Sequence, residues 1–253
     1  MELPLFPLHT VLCPGIALPL HIFEDRYRAL VNHCLETSSP FGVVLIRDGR
    51  EVVNGSISFA AIGTLAEIRQ AGRYPDGRFD LLIVGTGRFA IEEVSVGERP
   101  YLVADATILD DELGNELQAR SLANRATRRF VRYLELLQPR DGETADEIDI
   151  RVDVETEDAM PPREAGAADD PAMMGDPASE KRVIIPDDPT TLSYLLTGII
   201  QVELPRRQAL LEADTTEERL RELLDLIDRE TMLLSRRLRA FIPQPSILGP
   251  RGS

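Results

Sequence analysis

The chain contains no tryptophan, a single lysine (Lys181), two cysteines, three histidines and only 5% aromatic residues over 253 positions. Each scarcity excludes a class of chemistry. A phosphate-binding P-loop needs a lysine directly after glycine to reach the β- and γ-phosphates. Lys181 instead follows Glu180. Cys13 and Cys34 are too few for a disulfide framework, and with His9, His21 and His33 they match no zinc spacing. All three histidines fall in the first 33 residues and no G-x-S-x-G elbow occurs, so no activated nucleophile with its base is expected. Long apolar runs are also missing. The first 23 residues are apolar, but Glu2 stands where a signal peptide is basic, and Pro4, Pro7, Pro14 and Pro19 interrupt any helix. No stretch reaches the ~20 apolar residues of a membrane span. These absences lead to the expectation of a soluble, cytoplasmic, non-enzymatic protein with no cofactor, no metal and no membrane partner.

What is abundant is negative charge, and it is concentrated. The net charge is -15, yet residues 139–189 hold 16 Asp/Glu against 5 Lys/Arg and account for -11 of it. The same stretch carries 7 of the 18 prolines and no aromatic residue. Such a composition buries too little apolar surface to offset chain entropy, so residues 139–187 are expected to be an acidic, Pro-rich flexible insertion. Val183-Ile184-Ile185 is the exception, expected to dock locally.

The first 110 residues alternate like strands. Phe41–Arg47, Ala61–Ile68, Phe79–Val84, Arg88–Val96 and Tyr101–Ile108 are the candidate runs, and Pro75-Asp76-Gly77-Arg78 is a hairpin signal. Glycines 63, 85, 87 and 97 suggest bulges or corners of a curled sheet. One helix is expected over about 23–37, from the spacing of Phe23, Tyr27, Leu30, Val31, Cys34 and Leu35. The pattern turns helical after residue 111. Leu122, Ala126, Phe130, Leu134 and Leu137 form a stripe. Asp188-Pro189 opens another helix, Pro205 a short one, and Thr215 with Glu218 a capping box ahead of a long one. Its stripe runs through Leu220, Leu223, Leu224, Ile227, Leu234, Leu238 and Phe241 to a stop at Pro243. Residues 111–138 and 188–243 therefore read as a helical subdomain after a β subdomain at 1–110.

Two local motifs have sharper alternatives. Gly85-Thr86-Gly87-Arg88-Phe89-Ala90 matches a dinucleotide fingerprint, but that mechanism needs a helix directly after the loop. Arg88–Val96 reads as a strand, so a glycine-marked β-corner is expected instead. Arg125, Arg128, Arg129 and Arg132 form a basic run that winds around the helix, as a solvated face does. RNA binding is the rival reading. Residues 1–110 weigh against it, with 14 acids, 9 bases and no basic, aromatic-studded strand.

Several segments, in order, resemble one family. Leu3-Pro4-Leu5-Phe6-Pro7-Leu8, then Pro14-Gly15 and Leu18-Pro19-Leu20, look like the opening of the substrate-binding N-terminal domain of Lon proteases. Ile62–Ile68, Asp76-Gly77, Val84–Phe89, Pro100–Ala104 and Gln208–Glu212 continue the resemblance. It implies an α+β fold: a PUA-like curled mixed sheet with one helix, followed by a helical bundle. It also implies a role in recognising protein, as an unfolded polypeptide or a folded partner, with an RNA-binding PUA-like module as the alternative. The ATPase and peptidase domains of Lon are not among these 253 residues. Tyr74 and Phe79, which flank the hairpin turn, are the candidate partner-binding residues.

Overall fold

The computed structural model describes residues 1–47, 58–95, 99–137, 150–154 and 181–240. The Leu-Pro-Leu opening forms β1 (Glu2–Leu8), in which five successive side chains are buried. Such a run suits a strand covered on both faces. A proline-marked turn leads to β2 (Ala17–Ile22), whose outward residues are exposed. Helix α1 (Asp25–Thr37) buries Leu30, Val31 and Cys34 and ends at Ser38 in the left-handed region. Phe23 does not belong to that helix, as its spacing had suggested. It lies before the first turn and is exposed.

β3 (Phe41–Leu45) pairs in parallel with β1 and antiparallel with β4 (Ile62–Arg73). At the expected turn, Tyr74 N–H donates to Arg78 C=O (2.9 Å), Gly77 sits at φ 87° and the Asp76 carboxylate accepts from Arg78 N–H. β5 (Phe79–Ser95) follows as one 17-residue strand rather than the two runs read from sequence. Its first half pairs with β2 and its second with β6 (Val103–Leu109), which in turn pairs with β1. The ring β5-β4-β3-β1-β6 thereby closes, and β2 is an added edge.

A register shift opposite Leu65/Ala66 falls at Gly85–Gly87 in β5. A Cβ on Gly85 would lie 2.4 Å from the Cys13 carbonyl, so only glycine lets the 11–16 segment cross there. The dinucleotide-like motif is thus the bend of a strand. Inside the ring Phe89 is fully buried against Leu3, Leu5, Val44 and Leu65. Gly42 clears space for it, since a Cβ there would meet Phe89 Cζ at 2.4 Å.

The second half is helical. Asn115 caps α2 (Glu116–Leu137), its side chain accepting from Gln118 N–H. Asp188 caps α3 (Pro189–Ile199), with Pro189 in the first turn, through Thr191 N–H (2.7 Å). α4 (Leu204–Glu212) and α5 (Thr216–Ala240) follow, and Thr215 Oγ1 accepts from Glu218 N–H at the start of α5. Contacts of Gln118 with Arg221 and of Arg129 with Asp228 set α2 and α5 side by side in the same direction. Phe130, Leu134, Leu192, Leu196, Leu220, Leu223 and Ile227 fill their core. Phe241 and Pro243 lie outside the described residues.

The sequence leads to the expectation of a flexible insertion over 139–187 apart from a locally docking Val183-Ile184-Ile185, and two short strands of that span lie among the described residues. β7 (Ile150–Val154) and β8 (Lys181–Ile185) form a parallel pair, and Ile185 joins the helical core. Averaging over fifty residues hid the short β-branched run Ile150/Val152/Val154, whereas Val183-Ile184-Ile185 stands out from its surroundings. The rest of the insertion lies outside the described residues.

Candidate functional site

Strand parity decides which side chains reach solvent at the hairpin end of the sheet. His21 stands opposite Asp80 in the β2–β5 ladder, and Gly72 stands opposite Asp80 in the β4–β5 ladder. Directly opposed residues share a face, so these three lie in a row on the outer surface. Tyr74, two positions beyond Gly72, and Phe23, two beyond His21, extend the same face. Phe79 has the opposite parity and joins Leu81 and Ile83 in the core, 2% exposed. The structure therefore separates the two candidate contact residues. Tyr74 is 41% exposed on the outer face and Phe79 is not available to a partner.

The outer cluster is held by hydrogen bonds. His21 Nδ1 donates to Asp80 Oδ1 (2.6 Å) and the Tyr74 hydroxyl donates to Asp80 Oδ2. His21 lies parallel to Phe23 and edge-on to Tyr74, with ring centroids 6.3 Å apart in both pairs. The His21 and Tyr74 donors keep the Asp80 carboxyl below the usual carboxylate range, and the same bond to Asp80 pushes the Tyr74 phenol up. Phe23, at 63%, is the most exposed aromatic ring among the described residues. Around it, Arg26 pairs with Glu24, Arg28 with Asp25 and Arg78 with Asp76. Of this exposed cluster the sequence names Tyr74 as a candidate and does not single out His21, Phe23 or Asp80. The signal was the parity of β5: once Phe79 faces inward, Asp80 must face outward.

A second polar cluster joins the two halves of the chain. Arg88 on β5 is 3% exposed and Arg219 on α5 is fully buried. Arg88 Nη1 donates to the carbonyls of Leu211 (3.1 Å) and Ala213 (2.8 Å), and Arg219 Nε donates to that of Leu210 (2.9 Å). Together the guanidinium groups cap the C-terminal end of α4, where the unpaired carbonyls and helix dipole favour positive charge. Asp111 supplies the counter-charge, 3.0 Å from Arg88 and 3.9 Å from Arg219. Tyr194 donates to Asp111 and lies beneath Arg219, whose Cζ is 4.0 Å from the ring centroid. Burial lowers the Arg219 pKa and raises that of Tyr194, so the assembly holds the phenol neutral. Val11, Cys13, Leu45 and Ala60 pack against Tyr194 and Leu211 around it.

The remaining candidates are structural. Cys13 and Cys34 are buried free thiols, and burial pushes Cys13 up to about 12. Such a thiol is a small core hydrophobe at neutral pH. Among the described residues no group of three or more His, Cys, Asp or Glu is placed to hold a metal. Arg125, Arg128, Arg129 and Arg132 are all exposed on α2. A cleft of about 280 Å³ opens between the halves, floored by Leu45, Ile46, Leu204 and Pro205 and edged by Arg47 and Glu212, 3.6 Å apart. No helix among the described residues is long and apolar enough to cross a membrane.

The model of the ATP-dependent protease La (LON) substrate-binding domain matches residues 2–229, which takes in both the closed sheet and the helices. The chain belongs to the LON substrate-binding domain family. Its relatives include the Lon protease of Flavobacterium johnsoniae, 32% identical over 46% of this chain and 14% of that protein. The Lon protease of Cytophaga hutchinsonii is 26% identical over 92% of this chain and 24% of that protein. The chain thus spans a quarter or less of these relatives. Among solved structures, a Lon N-terminal domain protein from Xanthomonas campestris superposes with a TM-score of 0.55 at 27% identity. That likeness covers 89% of this chain and 98% of the other. The N-terminal domain of a Mycobacterium avium complex Lon protease gives the same TM-score at 17% identity, a likeness of fold, covering 90% and 98%. The LON substrate-binding domain accounts for the order of the sequence segments, from Leu3-Pro4-Leu5 to the Gln208–Glu212 helix. It also accounts for the PUA-like sheet followed by helices.

Proposed function

We propose that this LON substrate-binding domain recognises polypeptide, unfolded or presented by a partner protein, in the cytoplasm and without chemistry of its own. The observation that carries the reading is the family match over residues 2–229. The two strongest polar clusters support it in different ways. The Arg88–Arg219–Asp111 group is committed to holding the two halves together, leaving no free acid–base pair there. The exposed ring cluster at Phe23 and Tyr74 offers apolar surface on a rigid sheet, as a recognition surface requires.

Binding to fluorescein-labelled β-casein, measured by anisotropy at two salt concentrations, tests the proposal against a labelled single-stranded RNA. Casein is expected to bind at about micromolar or weaker affinity, typical of a small adaptable interface, and to hold its affinity as salt rises. RNA binding would weaken steeply over the same range through counterion release. Tight, salt-sensitive RNA binding without casein binding overturns protein recognition in favour of the PUA-like RNA reading.

A further inference from the structure

We propose that the Phe23–His21–Tyr74 cluster, with Asp80 at its base, is a subsite for the guanidinium of an arginine in a bound polypeptide. The inference rests on the protein-recognition reading and adds a place and a side-chain preference to it. Three observations converge on this occupant.

The first is charge. Three of the neighbouring arginines are already matched: Arg26 by Glu24, Arg28 by Asp25 and Arg78 by Asp76. Among the described residues Asp80 has no Arg or Lys partner, only the His21 and Tyr74 donors. A carboxylate offers about four lone-pair positions, so roughly two remain for an incoming donor. That leaves Asp80 as the carboxylate of this cluster that no arginine or lysine pairs, while Glu24, Asp25 and Asp76 each have one.

The second is ring chemistry. Exposed aromatic faces beside a carboxylate attract cations through the ring quadrupole, and a flat guanidinium both stacks on a ring and hydrogen-bonds in its own plane. The same chain shows the preference. Arg78 lies 5.4 Å from the Tyr74 centroid while its Nε is tied to Asp76 (2.8 Å), and Arg26 lies 4.5 Å from that of Tyr27.

The third is space. Gly72 faces Asp80 across the ladder two residues before Tyr74, and a Cβ there would meet only the Asp80 carbonyl oxygen, at 3.8 Å. The outer face is therefore open directly beside the carboxylate. Apolar side chains flanking the arginine would rest on Phe23, the most exposed of the rings.

The test uses the full chain and two short fluorescein-labelled Leu/Ser peptides, one with a central arginine and one with citrulline there. Citrulline keeps the shape and removes the charge. The wild type is expected to bind the arginine peptide about threefold to tenfold more tightly, a margin that narrows with salt. Asp80→Asn should erase the margin, and Phe23→Ala should weaken both peptides. Both positions are exposed, and far-UV circular dichroism confirms that the variants fold. Equal binding of the two peptides by the wild type, or a margin that survives Asp80→Asn, overturns the subsite. If β-casein still binds in that case, protein recognition stands and only the arginine subsite fails. If neither peptide nor casein binds, both fall.

Discussion

The buried arginine pair gives the most demanding test of how the two halves cohere. Arg88→Met keeps the length of the side chain and removes its charge. The carbonyls of Leu211 and Ala213 then lose donors at 3.1 and 2.8 Å, and Asp111 loses its nearest cation, 3.0 Å away. Hydrogen bonds to charged groups contribute about 1.5–3 kcal/mol each, but they are not additive and the lost arginine no longer has to be desolvated. Breaking a buried pair from one side costs about 3–5 kcal/mol. Asp111 is 27% exposed, which lets water relieve part of its isolation, so the lower end, about 3 kcal/mol, is expected. Asp111→Asn leaves two buried guanidinium groups without their shared counter-charge and should cost about 2–3 kcal/mol. Against a total stability of about 5–15 kcal/mol, either loss is large. Urea unfolding followed by far-UV circular dichroism measures it, since the chain has no tryptophan to report. The Arg88→Met transition should also broaden or split, because the clasp couples β5 to α4 and α5. The double variant should fall short of the sum of the singles by about 1 kcal/mol or more. Losses below about 0.5 kcal/mol for both single variants would refute the idea that this cluster joins the halves.

Three further outcomes follow from packing and burial. Phe79→Ala should destabilise by about 3–5 kcal/mol and Tyr74→Ala by less than about 1 kcal/mol in the same urea assay, because one ring fills the core and the other faces water. Gly42→Ala should cost about 1–3 kcal/mol through its collision with Phe89, and a compensating Phe89→Leu should recover part of it. Burial raises the Cys13 thiol from 9.0 to about 12, so below pH 9 both folded and unfolded chains keep the proton and nothing is lost. Above it the unfolded chain ionises first, and stability should fall by up to about 1.4 kcal/mol per pH unit from this group until the folded value is passed. Urea midpoints at about pH 8 and about pH 10.5 should show the fall, and Cys13→Ala should reduce it.

Local chemistry alone specified much of the chain. Asp188-Pro189 and Thr215 mark helix starts because a capping side chain and a proline act within one turn. Pro75–Arg78 marks the hairpin because its turn needs only the aspartate and a left-handed Gly77. The ordered family segments in the β half are strands, turns and a bend with the same local logic. Tertiary structure decided the rest. Period-2 alternation shows that Tyr74 and Asp80 differ in face from Phe79, but only the sheet's closure on its core says which face is wet. The two runs of β5 became one strand because Gly85 admits a backbone from residues 11–16, a contact no local pattern encodes. No local pattern marks Arg88 or Arg219 as buried. Their burial depends on the end of a helix more than 120 residues away from Arg88, where free carbonyls need donors that the helix itself cannot supply.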